Sequence, residues 1–249
     1  MLRYVLGFCA LSLGCLLAHG NCSAAGKSTA GIEFASVDRY ETNINRPTPV
    51  LFASDQEIEL ALKAAPLHLR KDATVYTFGK RGYEKARTGT NGFHCLVNRD
   101  GTQNGDLSVY PTCWDPEGSR TILPVMLRVG ELLAQQKSAA EIKRDIDQRF
   151  DQGRFHSPAK TGIAYMLAGD VKFDPKTGQF GATEFPPHYM IYAPGVTNED
   201  IGISNEALKK TPGLPFVYSG YSGGSRTAYI IVMANESAGH TMQSQNRLR

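Results

Sequence analysis

Cysteine, tryptophan and excess charge are all scarce in this sequence, and each scarcity narrows the possible functions. The chain has one Trp and five Cys, and its 27 Lys and Arg stand against 24 Asp and Glu, a formal net charge of +3. No block of Lys or Arg occurs, which argues against nucleic acid as a partner. No apolar run after residue 25 approaches the roughly 20 residues of a membrane span, so we expect no transmembrane segment in the mature chain.

The N-terminus has the features of a secretory signal peptide. Arg3 precedes an apolar run over residues 4–18, and small residues follow at Ser23 and Ala25. The run has no amphipathic period of the kind that a buried helix would show. We therefore predict a signal peptide over residues 1–25, and a mature protein in the periplasm of the bacterial cell envelope or outside the cell.

The cysteines that follow the signal peptide predict a disulfide bond. Cys95 and Cys113 are an even pair, and an exported protein folds in an oxidising environment. Asp100-Gly101 and Asn104-Gly105 are hairpin signals that would bring the two cysteines onto neighbouring strands. A catalytic or metal-binding thiol pair is the functional alternative.

Hydrophobic periodicity predicts an α+β fold with a single domain over residues 51–235. Residues 26–50 are predicted to be an extended N-terminal arm and residues 236–249 a disordered tail. Short runs of period two indicate an antiparallel β-meander, at 74–78, 83–88, 93–98 and 107–113. Further strands are predicted at 162–167, 188–193, 216–218 and 227–234.

Helices are predicted to pack on one face of this sheet. Capping boxes at Ser54–Glu57 and Ser138–Glu141 would each begin a helix. A broad apolar stripe over residues 122–133 predicts another, with Pro124 in its first turn.

One motif matches a catalytic signature without its structural context. Gly220-Tyr221-Ser222-Gly223-Gly224 fits the nucleophile elbow of α/β-hydrolases, in which a helix follows the serine. Here an apolar strand follows, and a triad would need Glu236 and His240 from the tail. We interpret the motif as a Gly-rich loop. The mature histidines show no local zinc spacing, so no metal site is predicted.

Two segments are candidate sites. The first, Trp114–Thr121, combines the only Trp with Asp115, Glu117 and Arg120 between a strand and a helix, where loops often carry function. Its structural alternative is that Asp115, Ser119 or Thr121 caps the helix while Arg120 pairs with an acid.

The second segment covers residues 185–194. Strand alternation places His188, Met190 and Tyr192 on one face, where they would line a ligand pocket or fill the core. With Trp114 and Arg120, these are the predicted ligand-binding residues.

Four segments together resemble a group of exported bacterial proteins of unassigned function: Asn91-Gly92-Phe93-x-Cys95, Glu117-Gly118-x-Arg120-Thr121, Gly162–Leu167 and Pro187-His188-x-Met190-x-Tyr192-Ala193-Pro194. The similarity covers roughly residues 55–233. It implies a bacterial origin and one intact domain, and it brings no activity or cofactor with it.

These observations lead to two functional hypotheses. The first is a non-catalytic module of the envelope or periplasm that binds a small molecule or another envelope protein. The alternative is an exported hydrolase or metal-dependent enzyme, with a site formed by His188, His94, Asp115, Glu117 and Arg120. In that enzyme His188 would be a base or metal ligand, and Arg120 would hold an anionic group.

Overall fold

Strands make up the centre of the fold. The computed structural model describes residues 48–106, 108–174, 177, 179–181 and 185–234, all within one compact unit that begins at residue 43. The predicted signal peptide, the tail and the arm before residue 48 lie outside the described residues. The described residues include ten strands: β1 Thr74–Gly79, β2 Gly82–Arg87, β3 His94–Asn98, β4 Ser108–Trp114, β5 Ile163–Met166, β6 Val171–Asp174, β7 Gln179–Gly181, β8 His188–Tyr192, β9 Phe216–Tyr218 and β10 Tyr229–Met233.

The helices are short and lie between the strands in the chain. The α-helices are α1 Ser54–Lys63, α2 Leu67–Arg70, α3 Pro116–Thr121, α4 Leu123–Ala134, α5 Ala139–Asp151 and α6 Asn205–Lys210. The single-turn 3₁₀ helices of this part of the chain are η1 Thr102–Asn104, η2 Glu199–Ile201 and η3 Gly224–Thr227. Within the described part of the chain, no helix has both the length and the apolar content needed to cross a membrane.

The sheet confirms the α+β class, but its strand order differs from the predicted meander. The order is β2-β1-β3-β4-β5-β8-β10-β9. Outside this path, β6 pairs with β4, and β7 pairs with β6. Strands β1 and β2 form an antiparallel hairpin, whereas β3 pairs with the other side of β1 in parallel. Burial explains this order: Val75 and Phe78 of β1 are buried, while Glu84 and Lys85 of β2 are exposed and suit an edge.

Helices cover both faces of the sheet, not one face as predicted. Cys95 and Val97 pack in the apolar cluster beneath α1, and Leu96 packs on the opposite face with α4 and α5. Successive residues of β3 therefore face opposite sides of the sheet, as the period of two over residues 93–98 predicts. Because β3 lies inside the sheet, it is apolar on both sides, and each side needs its own helical layer.

The predicted disulfide is present. Cys95 and Cys113 are bonded to each other and lie directly opposite in the register of β3 and β4. This bond ties together two neighbouring strands at the centre of the sheet.

The two predicted capping boxes have different outcomes. Ser138 and Glu141 form a reciprocal capping box at the start of α5. Helix α1, in contrast, has Ala53 as its N-cap residue and no side-chain cap. Glu57 turns into the core instead, where its Oε1 accepts a hydrogen bond of 2.7 Å from Arg99.

Candidate functional site

Asp115 joins four elements at one end of the sheet. It caps α3 by accepting a hydrogen bond of 2.9 Å from the Gly118 amide. It also accepts one of 2.9 Å from the Ile163 amide, and its Oδ1 lies 2.7 Å from the hydroxyl of Tyr192. These bonds connect β4, α3, β5 and β8. The capping interpretation of the Trp114–Thr121 segment is confirmed for Asp115.

The other polar residues of this segment are also paired. Glu117 forms an ion pair of 2.5 Å with Arg120 and accepts a hydrogen bond of 2.7 Å from the Ala159 amide. Desolvation raises the pKa of Glu117, but the Ala159 amide and Arg120 outweigh this effect and hold the pKa below its usual value. Arg120 therefore pairs with an acid, as the structural alternative predicts.

Most of the predicted ligand-binding residues are inaccessible to solvent. Trp114 is 1 % exposed, and its Nε1 donates a hydrogen bond of 3.1 Å to the Tyr229 hydroxyl. His188, Met190 and Tyr192 are between 1 % and 5 % exposed. Of the five residues only Arg120 is exposed. The core-filling interpretation accounts for the four buried side chains.

The structure does not bring His188 to the Trp114–Thr121 segment. His188 lies four residues along β8 from Tyr192, which is about 13 Å at the rise of a strand. Its Nδ1 is 2.9 Å from the Pro186 carbonyl oxygen, so the neutral ring donates this hydrogen bond from Nδ1. Burial lowers the pKa of His188, and the bond to Pro186 opposes this shift only in part.

His94 lies opposite Trp114 in the register of β3 and β4, and through β5 it is in line with Met190 of β8, three strand positions and about 14 Å away. His188 lies two residues further along β8 and is therefore about 16 Å from His94. Burial, together with the charge of Lys85, lowers the pKa of His94. Among the residues that the structure describes, no group of three or more His, Cys, Asp or Glu is arranged to hold a metal ion.

Ser222 of the Gly-rich motif forms hydrogen bonds with the carboxylate of Asp100. Its hydroxyl donates to Asp100 Oδ1 at 2.7 Å, and its amide donates to Oδ2 at 2.6 Å. Burial raises the pKa of Asp100, and both bonds from Ser222 oppose that rise. The loop interpretation agrees with these contacts, because the hydroxyl proton is directed at a carboxylate that anchors the loop. Glu236 and His240 lie outside the described residues.

Two further aspartates, Asp106 and Asp170, lie near Asp100, and neither belongs to a local sequence motif. We call the following six residues the acid–tyrosine cluster: Asp100, Asp106, Asp170, Tyr110, Tyr218 and Tyr221. Burial and the charge of Asp106 raise the pKa of Asp170 to about 7. The Tyr110 hydroxyl donates a hydrogen bond to Asp106. The charges of Asp100, Asp170 and Asp106 add to desolvation in raising the pKa of Tyr218 to about 12.

A groove of about 520 Å³ lies beside the edge strand β9. We call it the β9 groove. It is lined by Gly195, Val196, Thr197, Asn198, Glu199, Ile203, Ser204, Asn205, Glu206, Val217, Ser219 and Ser225. The connection from β8 to α6 forms one wall, and the strand with the loop that follows it forms the other.

Hydrogen bonds hold the walls of the β9 groove in place. The Val217 amide donates to Asn198 Oδ1 at 2.7 Å, and the Ile203 amide donates to the Asn198 carbonyl at 2.9 Å. The Gly195 amide donates to the Ser225 carbonyl at 2.8 Å. An edge strand leaves backbone groups without a neighbouring strand, and Asn198 supplies the acceptor that a further strand would otherwise provide.

The lining of the β9 groove combines apolar and polar groups. Val196, Ile203 and Val217 are half-buried. The lining also includes hydroxyl and amide side chains, and Glu199 and Glu206 add two exposed carboxylates. Short-range sequence patterns do not place this groove, because it depends on how the connection meets β9.

The β9 groove and the acid–tyrosine cluster are thus two places where the described residues gather groups able to recognise a ligand, and neither contains a predicted site residue. The groove has the size and the mixed lining of a small-molecule site. Comparison of the chain with family models, with curated proteins and with solved structures found no match.

Proposed function

We propose that the protein is an exported binding module of the bacterial envelope that holds a small polar molecule in the β9 groove. The groove is the observation that carries the proposal. Its walls are fixed by hydrogen bonds from Val217 and Gly195, so a ligand would not have to order them. A preformed cavity with an apolar floor and a polar rim is the usual form of a small-molecule site.

Export is the second part of the proposal. It rests on the predicted signal peptide at residues 1–25 and on the similarity to exported proteins described above. The bond between Cys95 and Cys113 supports it, because disulfides form and persist in oxidising compartments. Cell fractionation with intact-mass measurement tests this part. We expect a chain shortened by the signal peptide, without free thiols; full-length protein in the cytoplasm with Cys95 and Cys113 both reduced would contradict it.

Groove binding is tested by nuclear magnetic resonance of isotope-labelled protein. A library of sugars, amino acids and amines is added, and we expect a binder to shift the amide signals of Val217 and Gly195. Ser219→Trp places a large ring in the groove from an exposed position and should abolish those shifts. Thr88→Trp, exposed beside the opposite edge strand β2, is the matched control and should leave them unchanged. Equal shifts in both variants would contradict the proposal.

A hydrolase is the second candidate, and the acid–tyrosine cluster favours it. A carboxyl whose pKa lies near neutrality can act as a general acid. Asp170, whose pKa burial and the charge of Asp106 raise to about 7, would be that acid, and Asp106 would be the second carboxyl group of the site. Hydrolysis of nitrophenyl esters, phosphates and glycosides tests this candidate. The activity should vanish in Asp170→Asn and persist in Ser219→Trp; absence of turnover would leave groove binding as the remaining proposal.

A further inference from the structure

We infer that the β9 groove selects amino sugars and neutral sugars over the corresponding sugar acids, an inference that rests on the proposed binding function. The charge of the lining, the direction of its hydrogen-bonding groups and its apolar residues support this selectivity.

The charge of the lining is negative. Glu199 and Glu206 are exposed carboxylates, and neither forms an ion pair within the described part of the chain. The described lining residues include no Lys, Arg or His. Arg226 follows the lining residue Ser225, but it is paired with Asp147 and Asp151 of α5 at 2.8 and 3.0 Å. An anionic ligand would therefore meet two carboxylates of the lining and no cationic lining residue.

The fixed polar groups of the groove favour a ligand with several donors. Val217 lies opposite Ile230 in the β9–β10 pair, and its N–H points away from β10 to Asn198. In an antiparallel pair the N–H and C=O of one residue point to the same side, so the Val217 carbonyl also points outward. This carbonyl and the two carboxylates are acceptors, which hydroxyl and ammonium groups can satisfy.

The floor of the groove suits the carbon face of a sugar ring. Val196, Ile203 and Val217 present branched apolar side chains that are half-buried. A pyranose has C–H groups on its faces and hydroxyls at its edge, so the face can lie on the floor while the hydroxyls reach the rim. An ammonium substituent would then lie near Glu199 or Glu206 and gain from their charge.

The test compares three sugars that differ in charge: glucosamine, N-acetylglucosamine and glucuronate. Each is titrated into the labelled protein at low ionic strength, and the amides of Val217 and Gly195 report binding. We expect glucosamine to bind about tenfold more tightly than glucuronate, a difference that the two exposed carboxylates of Glu199 and Glu206 can produce. The affinity of the neutral N-acetylglucosamine should lie between these two. Added salt should reduce the difference, because it screens exposed charges.

Two double variants separate the local charge from the net charge. Glu199→Gln/Glu206→Gln should bring the affinities for glucosamine and glucuronate together. Glu59→Gln/Glu84→Gln makes the same change in net charge at exposed sites outside the groove lining and should preserve the difference. Loss of selectivity in both variants would overturn the assignment to these two carboxylates.

The remaining outcomes distinguish this inference from the proposed function. If glucuronate shifts the groove amides as strongly as glucosamine and binds as tightly, the charge selectivity is overturned while the groove remains a binding site. If none of the three sugars shifts these amides at millimolar concentration, the sugar assignment is overturned. The broader library then decides the proposed function on its own.

Discussion

The buried ion pair between Glu57 and Arg99 gives a direct test of what holds α1 to the sheet. The Glu57 side chain is 0 % exposed and that of Arg99 is 1 % exposed, with 2.7 Å between Oε1 and Nη1. The Arg99 guanidinium lies 4.7 Å from the ring centre of Phe52 and 4.8 Å from that of Phe78. Since neither side chain reaches solvent, removal of one charge leaves the other uncompensated in the core.

We expect Arg99→Met to lower the free energy of unfolding by about 3–5 kcal/mol near neutral pH, the usual cost of breaking a buried pair from one side. Burial raises the pKa of the Glu57 carboxyl, and Arg99 opposes that rise. Without Arg99 the pKa rises further, and the folded variant binds a proton more tightly than the unfolded chain does. Part of the loss should therefore be recovered on acidification, by at most about 1.4 kcal/mol per pH unit.

The assay is urea unfolding followed by the fluorescence of Trp114, the only tryptophan and 1 % exposed. Arg81→Met is the matched control, because Arg81 pairs with Glu84 at the surface, and such pairs contribute at most about 1 kcal/mol. Glu57→Leu/Arg99→Met should be more stable than Arg99→Met alone, since it leaves no unpaired charge. A loss below about 1 kcal/mol in Arg99→Met, or one independent of pH, would refute this reasoning.

Three further predictions address other parts of the fold. Asp170→Asn should raise the free energy of unfolding by about 1–2 kcal/mol above pH 7 and leave it unchanged below about pH 4, as measured by urea unfolding. Burial raises the pKa of this carboxyl to about 7, so its ionisation above that pH costs stability in the wild type. Cys95→Ser/Cys113→Ser should lose about 3 kcal/mol, and a reducing agent should destabilise the wild type alone. Ser138→Ala should lower the melting temperature through a loss of about 1 kcal/mol, whereas Ser54→Ala, which removes no cap, should leave it unchanged.

Local patterns were enough to place most of the secondary structure. Period-two runs predicted β1 to β4 within a few residues, and the apolar stripe predicted α4 with Pro124 in its first turn. The alternation along β3 and the pairing of Cys95 with Cys113 followed from the same information. These features depend on neighbours in the chain or on one nearby turn, which is why the sequence indicates them.

Features that depend on distant residues could not be predicted in the same way. Ser54 and Glu57 have the spacing of a capping box, but Glu57 is bound by Arg99, which lies 42 positions further along the chain. Consecutive strands often pair, which favours a meander, but β3 pairs with β1 and not with β2, so β1 has a neighbouring strand on each edge. In both cases a tertiary contact outweighed a correct local pattern.

The candidate site shows the same difference between features set by neighbouring residues and features set by distant ones. Alternation correctly placed His188, Met190 and Tyr192 on one face of β8, but it could not show that the face lies against the core. The β9 groove instead depends on the contact between Asn198 and Val217, 19 positions apart. That contact exists because the outward N–H of an edge strand needs an acceptor, and a polar connection beside the strand supplies it. A short apolar strand preceded by a connection rich in Asn, Ser and Thr is therefore the sequence signal that would have indicated this groove, and it applies only where the strand lies at the edge of a sheet.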